Sequence, residues 1–474
     1  MASESFDCIV QNAVVVTATD TGPYDIGIRS GKISVLAAAG ALSQCHCETR
    51  LDAEGAFVTP GGIDAHVHLA ESGISGGRGQ SADDYTTGTR SAVAGGTTTV
   101  VTFACQRKSD ASLLEVLNRT KAQAAGNAYC DYSFHMLLSN PTASILREFP
   151  LIRQKGISSI KVFMTYEDLQ IRDDQMLEVL LHAQSAGHTT LIHAENGDML
   201  RWMTQKLEER GLVAPKYHVT SRPQTLEIEA TSRAIHLSQI IPTPIVIVHV
   251  SSPSAARIIR RAQTRGHPVF AETCPQYLFL TREDLDKPGF EGAKCVCSPP
   301  PREDSSDHEG IWTGLQNGTF SILSSDHCPF VYDDEETGKK SAVTPEHPEG
   351  RFRYIPNGCP GVETRLPLVK TAGRLQMNKF GALIPGISDA DLTIWSRDLE
   401  PFQLTNELLH HNVDYTPYEG HRITEWPRYT LVRGKVVWDR RNGGVVGAKG
   451  FGKFLERDRS EFFNGLPPWN IAKF

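Results

Sequence analysis

The chain has 474 residues, 40% of them hydrophobic and 22% charged, with a formal net charge of -7; it is long enough for one large barrel with an appendage, or for two domains. The acidic balance and the lack of a basic tract give no electrostatic reason to bind nucleic acid, and no apolar run reaches the length of a membrane span. The polar start from Met1 to Asp7 has no signal-peptide pattern, so a cytosolic protein is expected. Its ten cysteines are read as reduced thiols, because the close pairs Cys45/Cys47 and Cys295/Cys297 lack the spacing of structural zinc sites.

Short β-branched runs open the chain, at 8–16, 25–29 and, after the turn Ser30-Gly31, 32–36, and they predict strands and a hairpin. From Thr59 the pattern changes to apolar strands followed by helical stretches, with strands predicted at 97–103, 133–137, 159–164, 189–194, 244–250, 269–273 and 320–325. With one more strand before His66, this is the alternation of a (β/α)8 TIM-type barrel. Strands return at 392–395 and 429–438, the latter split by Arg433-Gly434. The N- and C-terminal segments are therefore expected to pair into a small β-sandwich domain, 1–58 plus 385–445, beside a barrel spanning 59–384, with a tail at 446–474. The polar segment 329–356, with the charge run Asp333-Asp334-Glu335-Glu336, reads as a long surface loop.

His66 and His68 end the stretch Pro60-Gly61-Gly62-Ile63-Asp64-Ala65-His66-Val67-His68. Residues two apart on a strand share a face, so both imidazoles can enter a barrel mouth and chelate one ion; two unrelated surface or core histidines are the bland alternative. His193 ends Thr190-Leu191-Ile192-His193, His249 ends Ile245-Val246-Ile247-Val248-His249, and Asp326 ends Ile322-Leu323-Ser324-Ser325-Asp326. C-terminal strand ends converge on the active site of such a barrel. Five ligand-type residues at these ends favour a metal centre over hydrogen-bonded core histidines. Lys161 stands inside the apolar run 159–164, where burial would favour its neutral amine unless the ammonium snorkels to the surface.

Together, PGGIDAHVH (60–68), AGGTTTV (94–100), IKVFM (160–164), IHAENGD (192–198), VIVHVSS (246–252), AETCPQY (271–277) and SSDHCP (324–329) resemble the dihydropyrimidinase and hydantoinase branch of the amidohydrolase superfamily. NELLHHNVDYTPYEG (406–420) and VRGKVVWD (432–439) extend the resemblance beyond the barrel. It implies a barrel flanked by a β-sandwich from both termini, and two divalent metals bridged by an N6-carboxylysine at Lys161. His66, His68, Lys161 and Asp326 would hold one ion, and Lys161, His193 and His249 the other. Zinc is expected, although cobalt and manganese suit similar donors. The implied reaction is ring opening of a small cyclic amide, a dihydropyrimidine or hydantoin, by a metal-bridged hydroxide. Asp326 would carry the proton, Tyr166 would stabilise the oxyanion, and Ser298 and Asn357 would hold the ring amide through the main chain. A barrel-rim tyrosine and two turn residues are the plain alternatives for these three. The resemblance also implies a homotetramer, onto a neighbouring subunit of which the tail, with Phe462, Phe463, Trp469 and Phe474, would dock.

The chain departs from the family pattern in places. Ala70 stands where dihydroorotases resemble one another in carrying an arginine, so an acidic ring substrate lacks its bidentate anchor. The loop 71–82 is glycine-rich and long, which leaves the accepted ring substituent open. Asn378-Lys379-Phe380 runs straight into Gly381 without the helix and turn usual there, so residues 369–387 are expected to pack poorly. Allantoinase, another cyclic-imide hydrolase or a fungal-type ring hydrolase are the near alternatives. A non-catalytic scaffold resembling the collapsin response mediator proteins is the distant one; those proteins lack the metal ligands retained here.

Overall fold

Strands buried on both faces read as unbroken apolar runs, and Thr97–Cys105 is buried along all but its last residue. In the computed structural model, which describes residues 5–74, 79–375, 383–463 and 466, it is the second of eight parallel strands. In sheet order these are Gly62–Asp64, Thr97–Cys105, Asp131–Leu137, Ser159–Phe163, Thr189–His193, Ile245–Ile247, Val269–Thr273 and Ile322–Leu323. The helices Tyr85–Ala94, Leu113–Ala124, Phe149–Gln154, Asp173–Ala186, Gln224–Ile240, Pro253–Thr264, Ser305–Gln316 and Arg365–Ala372 follow them in turn. Their starts are local choices of sequence. Asp84 accepts from the Thr86 and Thr87 amides, and Ser252 caps a helix that begins with proline. Gly95 ends the first helix against the loop before the last one, where a Cβ would stand 2.2 Å from the Glu363 carbonyl.

The ring closes just beyond its first and eighth strands. Val67 bridges His327, the His68 amide donates to the His327 carbonyl at 2.7 Å, and the Ser325 amide donates to Asp64 at 3.0 Å. Arg365, from the last helix, fills this seam: it pairs with Asp64 at 3.2 Å and donates to the carbonyls of Ile63 (3.2 Å) and Leu323 (2.8 Å). Each member of this buried pair thus has further hydrogen-bond partners, which offsets its desolvation.

A separate nine-stranded sheet joins the two ends of the chain. Phe6–Val16, Thr21–Arg29, Lys32–Ala38, Cys47–Asp52 and Phe57–Pro60 come from the N-terminal side, and Leu392–Trp395, Pro427–Val432, Lys435–Asp439 and Gly444–Val445 from the C-terminal side. The halves meet where Leu392–Trp395 pairs antiparallel with Phe57–Pro60, and the Trp395 indole donates to the Thr59 hydroxyl at 3.1 Å. Val10, Val15, Ile28, Val58, Leu392 and Leu431 form its buried core.

Several sequence expectations shift. The sixth and eighth barrel strands are shorter than predicted, because the backbone turns left-handed at His249 (φ 40°) and Asp326 (φ 49°). Segment 329–356 is no mere surface loop, since Phe330, Lys339, Ala342, Phe352 and Ile355 are all buried; its polar tips hide apolar anchors set far apart. The tail lies on its own barrel as far as Phe463: Leu455 donates to the Tyr132 carbonyl at 2.8 Å, Phe454 stacks on Phe134, and Phe462 on Phe270 at 3.6 Å. Trp469, Phe474 and the junction at Phe380-Gly381 lie outside the described residues. Beside that junction Val369 and Leu383 are buried, whereas Ile384 and Ile387 are 45% and 69% exposed. Among the described residues no helix is long and apolar enough to cross a membrane.

His188, buried against Phe149 with ring centroids 5.4 Å apart, precedes the fifth strand. Burial, aided by Arg153, lowers its pKa from 6.5 to about 3. The unfolded chain takes up a proton that the folded one refuses, so this contribution to stability is full above about pH 6.5 and is lost as the pH falls toward 3. Between about pH 6 and about pH 4 the protein should lose about 1.4 kcal/mol per pH unit more than its His188→Leu variant, measured from urea midpoints. Parallel pH profiles would remove His188 from this role.

Candidate metal centre and active site

The residues singled out from the sequence, His66, His68, Lys161, Tyr166, His193, His249, Ser298, Asp326 and Asn357, all line one cavity at the C-terminal ends of the barrel strands. Phe163, Leu169, Cys297, Cys328 and Gly358 complete its wall. On one side, Nε2 of His66 and of His68 approach Asp326 Oδ1 at 3.3 and 3.5 Å, and the ligand atoms of the three residues lie within 4.8 Å of one another. On the other, the His193 and His249 rings are 4.5 Å apart, and His249 is 5.4 Å from His66. Lys161 does not snorkel: it is wholly buried, and its Nζ has no hydrogen-bond partner among the described residues.

Three acids that sequence reasoning missed orient the imidazoles. Glu272 meets His66 Nδ1 at 2.8 Å, Glu71 meets His68 Nδ1 at 2.9 Å, and Glu195 meets His193 Nε2 at 2.8 Å. Engaging one ring nitrogen fixes the tautomer and leaves the other for a cation. Glu272 also accepts from the His249 amide at 3.1 Å and from the Ser324 hydroxyl at 3.0 Å. A lone carboxylate in the apolar strand Val269–Thr273 is the same anomaly that marked Lys161, and it was legible. Glu71 and Glu195 carry no such signal, since each follows its histidine in loop sequence.

Burial sets the protonation of the site. It lowers His66 and His249 well below the usual imidazole range, with Lys161 contributing to both and His193 adding at His249. Burial also lowers Lys161, against the opposing pull of Glu272 and Asp326, and raises Glu272, against Lys161. His68 goes the other way: burial opposes it, but Glu71 and Asp326 carry it up to about 9. That field favours positive charge beside Asp326. Tyr166 is pushed up to about 12 by burial, with Arg222 opposing, and its phenol therefore stays protonated at neutral pH. Its ring lies 5.4 Å from that of His193. Tyr166, like His249 and Asp326, has a positive φ (65°), a strained backbone of the kind that gathers at functional sites and costs roughly 1–3 kcal/mol each.

The model of the amidohydrolase family matches residues 57–437. The chain belongs to the amidohydrolase family. Within it, this amidohydrolase is 38% identical to a D-hydantoinase from Ralstonia pickettii, over 95% of this chain and 99% of the relative. A solved D-hydantoinase structure superposes with a TM-score of 0.88 at 37% identity, covering 96% of this chain and 99% of the other. A dihydropyrimidinase from Brevibacillus agri gives 0.87 at 34%, covering 95% and 98%. The family is metal-dependent, and His66, His68 and Asp326 form a cluster able to hold an ion.

Glu272 does not line the cavity but hydrogen-bonds the His66 ring and the His249 amide, which belong to residues that do, so its replacement tests orientation rather than ligation. Glu272→Gln should keep the fold but weaken divalent-metal affinity about 10- to 100-fold, read by equilibrium dialysis with elemental analysis. Unchanged affinity would separate Glu272 from the metal centre.

Proposed function

We propose that this amidohydrolase opens the ring of a hydantoin or a dihydropyrimidine by hydrolysing its cyclic amide at a centre of two divalent metals. The observation that carries the reading is the convergence of nine residues in one cavity, in a chain whose relatives bear the names D-hydantoinase and dihydropyrimidinase. His66, His68 and Asp326 would hold one ion, His193 and His249 the other, and Lys161, as N6-carboxylysine, would serve both; zinc is the expected metal. Two buried nitrogens without hydrogen-bond partners among the described residues, Lys161 Nζ and His249 Nδ1, support this fit. So does the shift of Lys161 toward its neutral amine by burial, the form that adds carbon dioxide to give a carbamate. Bound there, the ions would supply an acidified water and polarise the ring carbonyl.

The side chains supply the rest. Asp326, low in the carboxylate range because His66 and His68 outweigh its burial, takes the water's proton and returns it to the ring nitrogen as the C–N bond breaks. Tyr166 donates its phenolic hydrogen to the carbonyl oxygen as negative charge grows there. Ser298 and Asn357 offer main-chain groups to the ring amide from two facing loops. A homotetramer and a cytosolic setting belong to the same reading; a monomer in sedimentation at micromolar protein would remove the former.

Elemental analysis with a turnover screen of hydantoin, dihydrouracil, allantoin and phthalimide-like rings tests the whole. Two ions per chain and turnover of the first two rings are expected, whereas turnover of allantoin or the imide alone would replace the substrate. Lys161→Ala should lose most of the metal and all detectable hydrolysis. Asp326→Asn should bind substrate yet lose roughly 10²- to 10⁴-fold in kcat. Near-normal kcat in that variant would remove Asp326 from proton transfer.

A further inference from the structure

The two loops that would hold the ring come from separate parts of the chain. Val296-Cys297-Ser298 leaves the helical turn Glu291–Cys295, and Pro356-Asn357-Gly358 follows the turn Phe352–Tyr354. Cys297, Ser298, Asn357 and Gly358 all line the cavity. Neither stretch belongs to a helix or a strand, so no strand ladder fixes their spacing. What joins them is one side chain, that of Lys339, from the turn Lys339–Ala342. Its Nζ donates to the Val296 carbonyl at 3.1 Å and to the Pro356 carbonyl at 3.0 Å, two residues before Ser298 and one before Asn357. The Gly358 amide also donates to Val296, at 3.0 Å, whereas no other donor reaches the Pro356 carbonyl among the described residues. Lys339 is fully buried, and no carboxylate pairs with it among the described residues. Burying an amine with no acid beside it costs stability, so a lysine is not what packing alone would favour here. Its backbone is anchored in turn: the Lys339 amide donates at 2.8 Å to the Val331 carbonyl, five residues beyond Asp326. A Cβ on Gly338 would stand 2.2 Å from that same carbonyl, so only glycine lets the turn approach so closely.

We propose that Lys339 is a positioning residue for the ring: by spanning the Val296 and Pro356 carbonyls it sets the two ring-holding loops at one distance from each other and from the segment leaving Asp326. The tie between the loops stands on the hydrogen bonds alone; its effect on the ring rests on the ring-hydrolase reading above. Lys339 touches neither ring nor metal and acts through Ser298 and Asn357. Those two residues grip the ring amide before and during attack alike. A looser grip therefore weakens the bound substrate and the transition state together, which raises KM and leaves kcat nearly unchanged.

The test compares the full metal-loaded chain with Lys339→Met, which keeps the length of the side chain and removes its N–H groups, and with Lys339→Gln, which keeps an N–H donor on a shorter arm. In Lys339→Met the KM for hydantoin should rise roughly ten-fold, with kcat within about three-fold and metal content unchanged. Lys339→Gln should fall between that variant and the parent chain. Hydrogen exchange read by mass spectrometry should quicken in the peptides covering 294–298 and 355–359. A merely structural lysine would lower the melting temperature without moving the KM of the folded, metal-loaded molecules. An unchanged KM in folded Lys339→Met, a loss confined to kcat, or a loss of metal overturns the proposal. If Lys339→Met does not fold, Lys339→Gln decides by the same KM, and failure of both to fold overturns it. A parent chain that opens no ring overturns the ring-hydrolase reading instead; the tie between the loops is then decided by hydrogen exchange, and unchanged exchange in both peptides overturns it.

Discussion

Glu272, on the seventh barrel strand, accepts hydrogen bonds from three places far apart in the chain: His66 beyond the first strand, the His249 amide beyond the sixth, and Ser324 beyond the eighth. An ionised carboxylate is costly to bury, and it is tolerated only where such partners replace water. Here they set the height of two imidazoles and of the eighth strand's end together. Lys161, the nearby cation, completes the balance: each opposes the effect of burial on the other. The metal-facing atoms of the cavity are therefore placed by a carboxyl group that does not itself line the cavity.

A second buried network does the same for the opposite wall. Arg222 pairs with Glu195, and Arg302 pairs with Glu227 at 2.7 Å while donating to Ser251 at 2.8 Å and, at 2.6 Å, to the Arg222 carbonyl. Although burial pushes Glu195 up, Arg222 and His193 draw it down to about 2, so it stays charged beside His193. The same guanidinium lies 5.5 Å from the Tyr166 ring. One cation thus fixes the acid behind a histidine and the position of a phenol in front of it.

What the sequence made legible follows from how each feature is encoded. Barrel strands are local apolar runs, so seven of the eight were readable by composition, and the first only through the histidines that follow it. Phe57–Pro60 and Cys47–Asp52 were missed because one is four residues long and ends in proline, and the other has a largely exposed face. The candidate ligands were legible because imidazole, carboxylate and amine stand out at the ends of apolar strands or within them. The orienting acids Glu71 and Glu195 sit in irregular loop sequence just after their histidines, and the burial of Lys339 within a polar stretch depends on partners farther along the chain; no periodicity announces them. The resemblance carried Tyr166, Ser298 and Asn357 to the cavity, whereas their residue types alone would not have done so.

The path of the last residues has a consequence for how the chain is made. The floor of the barrel is covered by the segment around Phe454, Arg457 and Phe462, which meets Phe134, Ser133 and Phe270 at the starts of strands formed hundreds of residues earlier. The N-terminal strands likewise wait for Leu392–Trp395 before their sheet has its inner neighbour. During synthesis, therefore, the barrel can acquire its strands while its lower face and the first sheet's edge still show apolar surface to the ribosome's surroundings. A chain released short of its final arm would keep that surface, and chaperones and proteases that recognise exposed apolar groups would have a mark by which to tell finished molecules from interrupted ones.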